Sequence, residues 1–399
     1  EFLAYLGGMH FACDIDAIPE GAVVFPHEPL IRVQGPIVQC QILETVLLNI
    51  LNFQTLIATK AARMAIATRG EPVLEFGLRR AQGIDGALAA SRAAFIGGCA
   101  ATSNVLAGKL FGIPVKGTHA HSWVMSFDDE LEAFKAYAKA MPNNCVFLVD
   151  TYDTLDGVRK ATEAGKWLRS QGHEMIGIRL DSGDLAYLSI EARKILDEAG
   201  FPKAVIVASN DLDETIIDSL KDQGATISVW GVGTKLVTGD SQPALGGVYK
   251  LSAIRQPGGE WRYKVKLSEQ SIKVSNPGIQ QVRRYRSVTE NLADVIYDAN
   301  TDLTGGCIMI DPLDMTRQKR IPGDTTFTDL LIPIFRNGRL VYDLPPLPKI
   351  KARAQEELKG FHTGIKRFVN PHQYPVGLEK SLYALKTDLI LRSREVTLA

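Results

Sequence analysis

Cysteine is scarce and unpatterned in this 399-residue sequence. The five thiols, Cys13, Cys40, Cys99, Cys145 and Cys307, are odd in number, far apart and mostly set in apolar stretches such as Cys145-Val146-Phe147-Leu148. No C-x-x-C spacing marks a zinc site, and the distribution suits buried, reduced thiols of a cytoplasmic protein. A charge excess is missing too, since 45 basic residues balance 45 acidic ones. That argues against a broad nucleic-acid or membrane surface and leaves room for a small cationic pocket. No uninterrupted apolar run approaches the roughly 18–20 residues of a membrane span, and no signal peptide or low-complexity tract is visible.

What remains is an ordinary globular composition, 45% hydrophobic and 23% charged. The length suits two or three domains, one of them a barrel of about 200–250 residues. Residues 1–42 alternate turns with short apolar runs, Ala22-Val23-Val24-Phe25 and Leu30-Ile31-Arg32-Val33, bracketed by prolines, and read as the first part of a small β-rich unit. Gln39 to Met64 then lacks Gly and Pro and repeats apolar residues at helical spacing, which predicts one or two buried helices.

From residue 73, short apolar strands alternate with amphipathic helices. The strands are Val73 to Phe76, Pro114 to Lys116, Cys145 to Val149, Met175 to Leu180, Ala204 to Ala208 and Thr226 to Trp230. The last four begin at 145, 175, 204 and 226, spaced by 30, 29 and 22 residues, as βα units of a parallel sheet require. Residues 43–245 are therefore expected to form the α/β domain. Residues 246–345 return to a β-rich pattern, with alternation in Gly247 to Leu251 and Trp261 to Leu267, and residues 346–399 read as a helical extension.

In parallel βα folds ligands sit beyond the carboxyl ends of the strands. Those ends carry Gly77-Leu78-Arg79-Arg80, Gly117-Thr118-His119-Ala120-His121, Asp150-Thr151-Tyr152-Asp153, Arg179-Leu180-Asp181-Ser182-Gly183-Asp184, Ser209-Asn210-Asp211 and Gly231-Val232-Gly233-Thr234-Lys235. The glycine turn at 231–234 offers backbone N–H groups to a phosphate, or is plain turn chemistry. Arg79, Arg80 and Arg179 present planar forks for anions, or surface ion pairs. Asp181 and Asp184 could hold ribose hydroxyls or magnesium, with a helix N-cap as the simpler role for Asp184. His119 and His121 could share a metal, as in barrel hydrolases. Later strands offer no further histidines, which favours a nucleophile, phosphate carrier or general base at one of the two.

Several stretches in register make the sequence similar to the nicotinate phosphoribosyltransferase family. They are Glu44 to Asn49, Phe53 to Arg63, Glu75 to Gly83, Thr102 to Val105, Gly117 to Ser122, Arg179 to Asp184, Gly231 to Thr234 and Leu245 to Leu251. The resemblance implies an irregular α/β barrel of parallel strands with a flanking β-rich domain, usually in a homodimer with sites at the interface. It implies transfer of 5-phosphoribosyl 1-diphosphate to nicotinate, coupled to ATP with magnesium, and neighbouring enzymes acting on nicotinamide or quinolinate as the alternatives. By the family pattern His121 is the phosphorylated histidine and Thr118 contacts nicotinate. Arg79 and Arg179 line the nicotinate and pyrophosphate region, Asp181 and Asn210 hold the ribose, and Gly231, Gly233 and Thr234 take the 5-phosphate. The pattern names no protein ligand for the metal. The family also carries, ahead of the equivalent of Glu1, a tyrosine that stacks on the pyridine ring, so the chain as given is expected to be impaired.

Overall fold

The computed structural model describes residues 1–270 and 273–395. It divides into two compact units, Asn52–Leu245 on one hand and Glu1–Leu51 with Gly246–Ala399 on the other.

The first is an irregular α/β barrel. Its strands are β1 (Val73–Glu75), β2 (Ala101–Thr102), β3 (Val146–Leu148), β4 (Gly177–Leu180), β5 (Val205–Ala208) and β6 (Val229–Val232). All pair in parallel, in the order β2-β1-β6-β5-β4-β3. They are short and buried on both faces, as strands covered by helices must be. The expected strand at Pro114 to Lys116 reduces to one parallel bridge, Val115 to Thr102. Pro114 has no N–H to extend the ladder, and β2, whose small residues gave no strand signal, takes the place in the sheet.

Five helices of this unit carry side-chain caps. Asn104, Asp129, Asp153, Asp184 and Asp213 accept from the backbone N–H groups of Ala107, Glu132, Asp156, Tyr187 and Ile216. Gly157 lets the helix Thr154–Ser170 lie against β3, since a Cβ there would meet Val149 O at 2.0 Å.

The helix Ile37–Ala67 is long and apolar enough to cross a membrane by length and composition, with mean hydropathy 1.4 over 18 residues. Gln, Asn and Thr interrupt its apolar residues, so no uninterrupted apolar run of that length exists although the average is high. Nor is it simply a buried helix. Ile57, Ala61 and Met64 are fully buried, and Lys60 and Arg63 reach Glu214 at 2.9 and 2.8 Å, whereas Ile42, Val46 and Ile50 are half exposed or more.

The second unit is β-rich. One antiparallel sheet runs Arg339–Leu340, Ile332–Arg336, Asp14–Ala17, Ile31–Gln34. A six-stranded sheet runs Gln318–Pro322, Gly306–Ile310, Val376–Glu379, Asn291–Asp298, Gln280–Arg286, Thr326–Asp329. The stretch read as a helical extension thus also supplies an inner strand, Val376–Glu379, too short for its period to register in the sequence.

Ala22 to Phe25, expected as a strand, makes no ladder. Its backbone serves side chains instead, Val23 O accepting from Arg284 Nη2 at 2.8 Å and Phe25 N donating to Glu28 Oε2 at 3.0 Å. The alternation at 247–267 yields only the hairpin pair Ala253–Ile254 and Arg262–Tyr263, closed by a turn in which Gly259 N donates to Gln256 O.

Candidate functional site

Register sets what the barrel presents beyond its strand ends. Leu148 pairs with Arg179 across β3 and β4, Leu180 with Ala208 across β4 and β5, and Ala208 with Trp230 across β5 and β6. The next residues, Asp150, Asp181, Ser209 and Gly231, therefore lie along one rim.

Arg179 organises this rim. Its Nη1 donates to Thr118 Oγ1 at 2.5 Å and its Nε to Ser209 Oγ at 2.9 Å, while Nη2 lies 3.5 Å from Asp181 Oδ1. Ser209 Oγ in turn donates to Asp181 Oδ1. The guanidinium is held at three points, which fixes its plane before any anion arrives. Asp150 braces the neighbouring strand end, its Oδ2 accepting from Asp181 N at 2.8 Å and Ser182 Oγ at 2.6 Å. Its Oδ1 is buried without a hydrogen-bond partner among the described residues and lies 3.9 Å from His121 Nε2. Asp181 Oδ2 lies 3.6 Å from the same nitrogen, and His121 Nδ1 is 3.1 Å from Thr151 Oγ1.

The two histidines part company here. His119 is buried beside Phe134 and Tyr137. Its Nε2 accepts the Leu148 N–H at 3.1 Å, which leaves the proton on Nδ1, 3.4 Å from Ala120 O. Burial pushes its pKa down from 6.5 to about 4, against the pull of the Ala120 bond and aided by the charges of Arg179 and His121. His119 is thus a neutral strut, and both its nitrogens are engaged within the protein. The two histidines do not form a pair of metal ligands, and among the described residues no group of three His, Cys, Asp or Glu could hold a metal ion. His121, with 38% of its side chain exposed and flanked by carboxylates, is the accessible one.

The glycine segment at the end of β6 is tightly enclosed, with Gly231 inside the strand opposite Leu74 and Gly233 just past it. A Cβ at Gly231 would meet Phe76 Cε2 at 2.8 Å, and one at Gly233 would sit 3.2 Å from Phe76 O. Thr234 follows as the first residue of a short helix, Thr234–Val237. Lys235, beside the glycine segment, is engaged with Asp213 at 2.6 Å. Asp184 caps the helix Leu185–Glu198, the simpler of its two roles. Arg79 and Arg80 stand exposed after β1 with no side-chain partner among the described residues. Asn210 is exposed at φ 111°, in the left-handed region.

Three residues went without a role in the sequence. Asp150, Thr151 and Ser209 each follow a strand, and their signal was position on the rim, which type alone does not separate from turn chemistry.

A parallel barrel that gathers a fixed guanidinium, a glycine turn, paired carboxylates and one accessible histidine at its strand ends defines the class as an α/β-barrel enzyme. Three family models match in order along the chain: the nicotinate phosphoribosyltransferase N-terminal domain at residues 1–52, the nicotinate phosphoribosyltransferase family at 72–262, and the nicotinate phosphoribosyltransferase C-terminal domain at 280–386. Nicotinate phosphoribosyltransferase of Bacillus subtilis is 46% identical over 385 residues, 94% of this chain and 76% of that protein. The Dictyostelium discoideum enzyme of the same name is 38% identical over 98% of this chain and 76% of its own length. The crystal structure of human nicotinic acid phosphoribosyltransferase superposes with a TM-score of 0.81 at 30% identity, covering 97% of this chain and 85% of that one. The chain belongs to the nicotinate phosphoribosyltransferase family.

Proposed function

We propose that the chain joins nicotinate to 5-phosphoribosyl 1-diphosphate, releasing nicotinate mononucleotide and pyrophosphate, and couples this to ATP hydrolysis through a phosphohistidine at His121. The observation that carries the reading is the cluster in which Arg179 bridges Thr118 and Ser209 beside Asp181, with His121 facing Asp150 and Asp181. In the transfer a bond forms from the pyridine nitrogen to the anomeric carbon. The bond from that carbon to the pyrophosphate oxygen breaks, and the oxygen keeps the electron pair. The nitrogen attacks with its own lone pair, so no general base is required. Charge grows on the leaving group, and prearranged donors aimed at it are usually the largest catalytic contribution. Arg179 and Arg79 would supply them. Thr118 would touch nicotinate, Asp181 and Asn210 would hold the ribose hydroxyls, and Gly231, Gly233 and Thr234 would take the 5-phosphate.

Carboxylates beside Nε2 favour a proton there, as an aspartate fixes the tautomer of a catalytic histidine. That leaves the Nδ1 lone pair, next to Thr151, to attack the γ-phosphorus of ATP. An N–P bond forms, the bond to the ADP oxygen breaks, and water later cleaves the phosphohistidine. Magnesium would arrive with ATP and the diphosphate, since it keeps waters and takes few carboxylates along with substrate phosphate oxygens. Asp150, whose buried Oδ1 has no hydrogen-bond partner among the described residues, and Asp181 are the carboxylates that fit it, and the ion would neutralise phosphate charge. The product would enter NAD synthesis by salvage, in the cytoplasm. We also read the working form as a homodimer with sites at the interface, supported by the exposed apolar stripe Ile42, Val46 and Ile50.

The test is incubation with nicotinate, 5-phosphoribosyl 1-diphosphate and magnesium, with and without ATP. Pyrophosphate and ADP should appear together, and His121→Ala should abolish ³²P labelling by [γ-³²P]ATP while basal transfer persists. Turnover of nicotinamide or quinolinate in place of nicotinate would overturn the substrate, and a labelled His121→Ala variant would overturn the histidine.

A further inference from the structure

Glu75, the last residue of β1, is 1% exposed and lies at a junction of three elements. Its Oε1 accepts the Gly77 N–H, the first turn of the loop that carries Arg79. Its Oε2 accepts from Ser91 Oγ at 2.8 Å, on the helix Gly83–Gly97, and from Thr102 Oγ1 at 2.5 Å, at the end of β2. Thr102 Oγ1 also accepts from Asn104 N at 2.9 Å, and Asn104 Nδ2 reaches Ser91 Oγ at 3.3 Å. Ser103 N donates to Glu75 O at 2.9 Å. One buried side chain thus ties the Gly77–Arg80 loop, the 102–104 strand end and a helix into a single hydrogen-bonded unit. Arg79 itself makes no such contact and sits exposed on the loop.

A carboxylate in a dry site with three aimed donors is a demanding arrangement, because losing an acceptor strands a buried donor. The strand ends would pair without it, since β1 and β2 already share a ladder through Leu74 and Glu75. What the side chain adds is the path of the loop after β1. On the reading that Arg79 lines the pyridine and pyrophosphate region, we propose that Glu75 is the positioning residue for Arg79. It sets the Gly77–Arg80 loop so that the guanidinium meets the anionic substrate without being touched itself.

Glu75→Gln is the informative variant because it keeps the shape. Its carbonyl oxygen must face Gly77 N, since two donors cannot meet there. Its NH₂ then faces Ser91 and Thr102; the Ser91 proton can turn to Ala87 O at 3.0 Å, whereas Thr102 keeps only a 3.5 Å contact to Ser91 Oγ in place of its short bond to the carboxylate. We expect KM for nicotinate to rise about tenfold, with kcat falling far less, while thermal unfolding of the variant stays cooperative. Ser91→Ala removes one donor and should move KM the same way, about two- to threefold; this keeps the test open if Glu75→Gln folds poorly.

Coupling to Arg79 separates positioning from general support. In an Arg79→Ala background the Glu75→Gln substitution should add less than about twofold, because the group it positions is gone. Full additivity of the two substitutions, or an unchanged KM in both Glu75→Gln and Ser91→Ala, overturns the proposal. If Arg79→Ala alone leaves both substrate KM values unchanged, the reading of Arg79 falls first, and that result is distinct from an Arg79→Ala effect that Glu75→Gln fails to share.

Discussion

His119 and His121 are separated by one alanine and do opposite things, and the difference lies in what surrounds each ring. His119 accepts the Leu148 N–H and is packed by Phe134 and Tyr137, so its charged form is penalised and its pKa sits at about 4. The folded value lies below the unfolded one of 6.5. The unfolded chain therefore takes the proton first, and the stability present above about pH 6.5 is lost as the pH falls toward 4. A His119→Gln variant lacks this titration. Between pH 7 and 4 its thermal midpoint should fall less than that of the wild type, by an amount equivalent to about 3 kcal/mol. Parallel curves for the two proteins would show that His119 titrates normally. Glu28 has the opposite sign. Burial and the neighbouring Asp294 push its pKa well above the ordinary carboxylate value. A raised folded value contributes stability at low pH that is lost as the pH rises through it. Glu28→Gln imitates the protonated form and should gain in midpoint relative to the wild type as the pH is raised from 5 to 9. A constant difference across that range would count against a proton held there.

At the scale of elements, the strands that were legible are those buried along nearly their whole length. Val146–Leu148, Gly177–Leu180 and Val205–Ala208 are apolar runs bounded by polar turns, and burial on both faces leaves that trace in sequence. Ala101–Thr102 left none, because two small residues carry no period. Ala22 to Phe25 misled for a different reason. Its β-branched residues suit a strand, but its backbone groups are claimed by Arg284 and Glu28, partners far away in sequence or in a turn. The candidate site divides the same way. Arg179, Asp181, His121 and the glycine segment were legible from position at or just past a strand end, whereas the bracing by Asp150 and Ser209 depends on register between strands. Asp184 shows how one residue type serves two ends, since it follows a strand yet spends its carboxylate on Tyr187 N. Asp184→Ala should cost about 1 kcal/mol of stability, as a lost N-cap does. It should leave KM for 5-phosphoribosyl 1-diphosphate within about twofold, on the scale of a group that makes no substrate contact. A tenfold rise in that KM without a change in midpoint would return Asp184 to the substrate site.

For the whole molecule the open physical question is the first half of the helix Ile37–Ala67. Ile42, Val46 and Ile50 recur every fourth residue, so they share one face, and they are 51%, 57% and 50% exposed. Phe2, Leu6, Ile37, Val38 and Gln41 border an apolar groove beside Ile42. Apolar patches of this continuity on soluble chains usually mark an interaction surface. A homodimer with two-fold symmetry would cover such a stripe with the same stripe of its mate. In that arrangement one substitution acts twice, and a charge at the centre of the patch is buried beside its own copy. The wild-type chain should therefore travel in light scattering as a particle of about twice 43.7 kDa. Val46→Lys should shift it to the single chain, at protein concentrations near 10 µM or below, by an affinity loss of about a hundredfold or more. Because the proposed sites lie at the interface, transferase activity should fall with dimer content and recover as protein concentration is raised. A wild-type chain that scatters as a monomer with full activity, or a Val46→Lys dimer indistinguishable from it, would remove this face from the assembly.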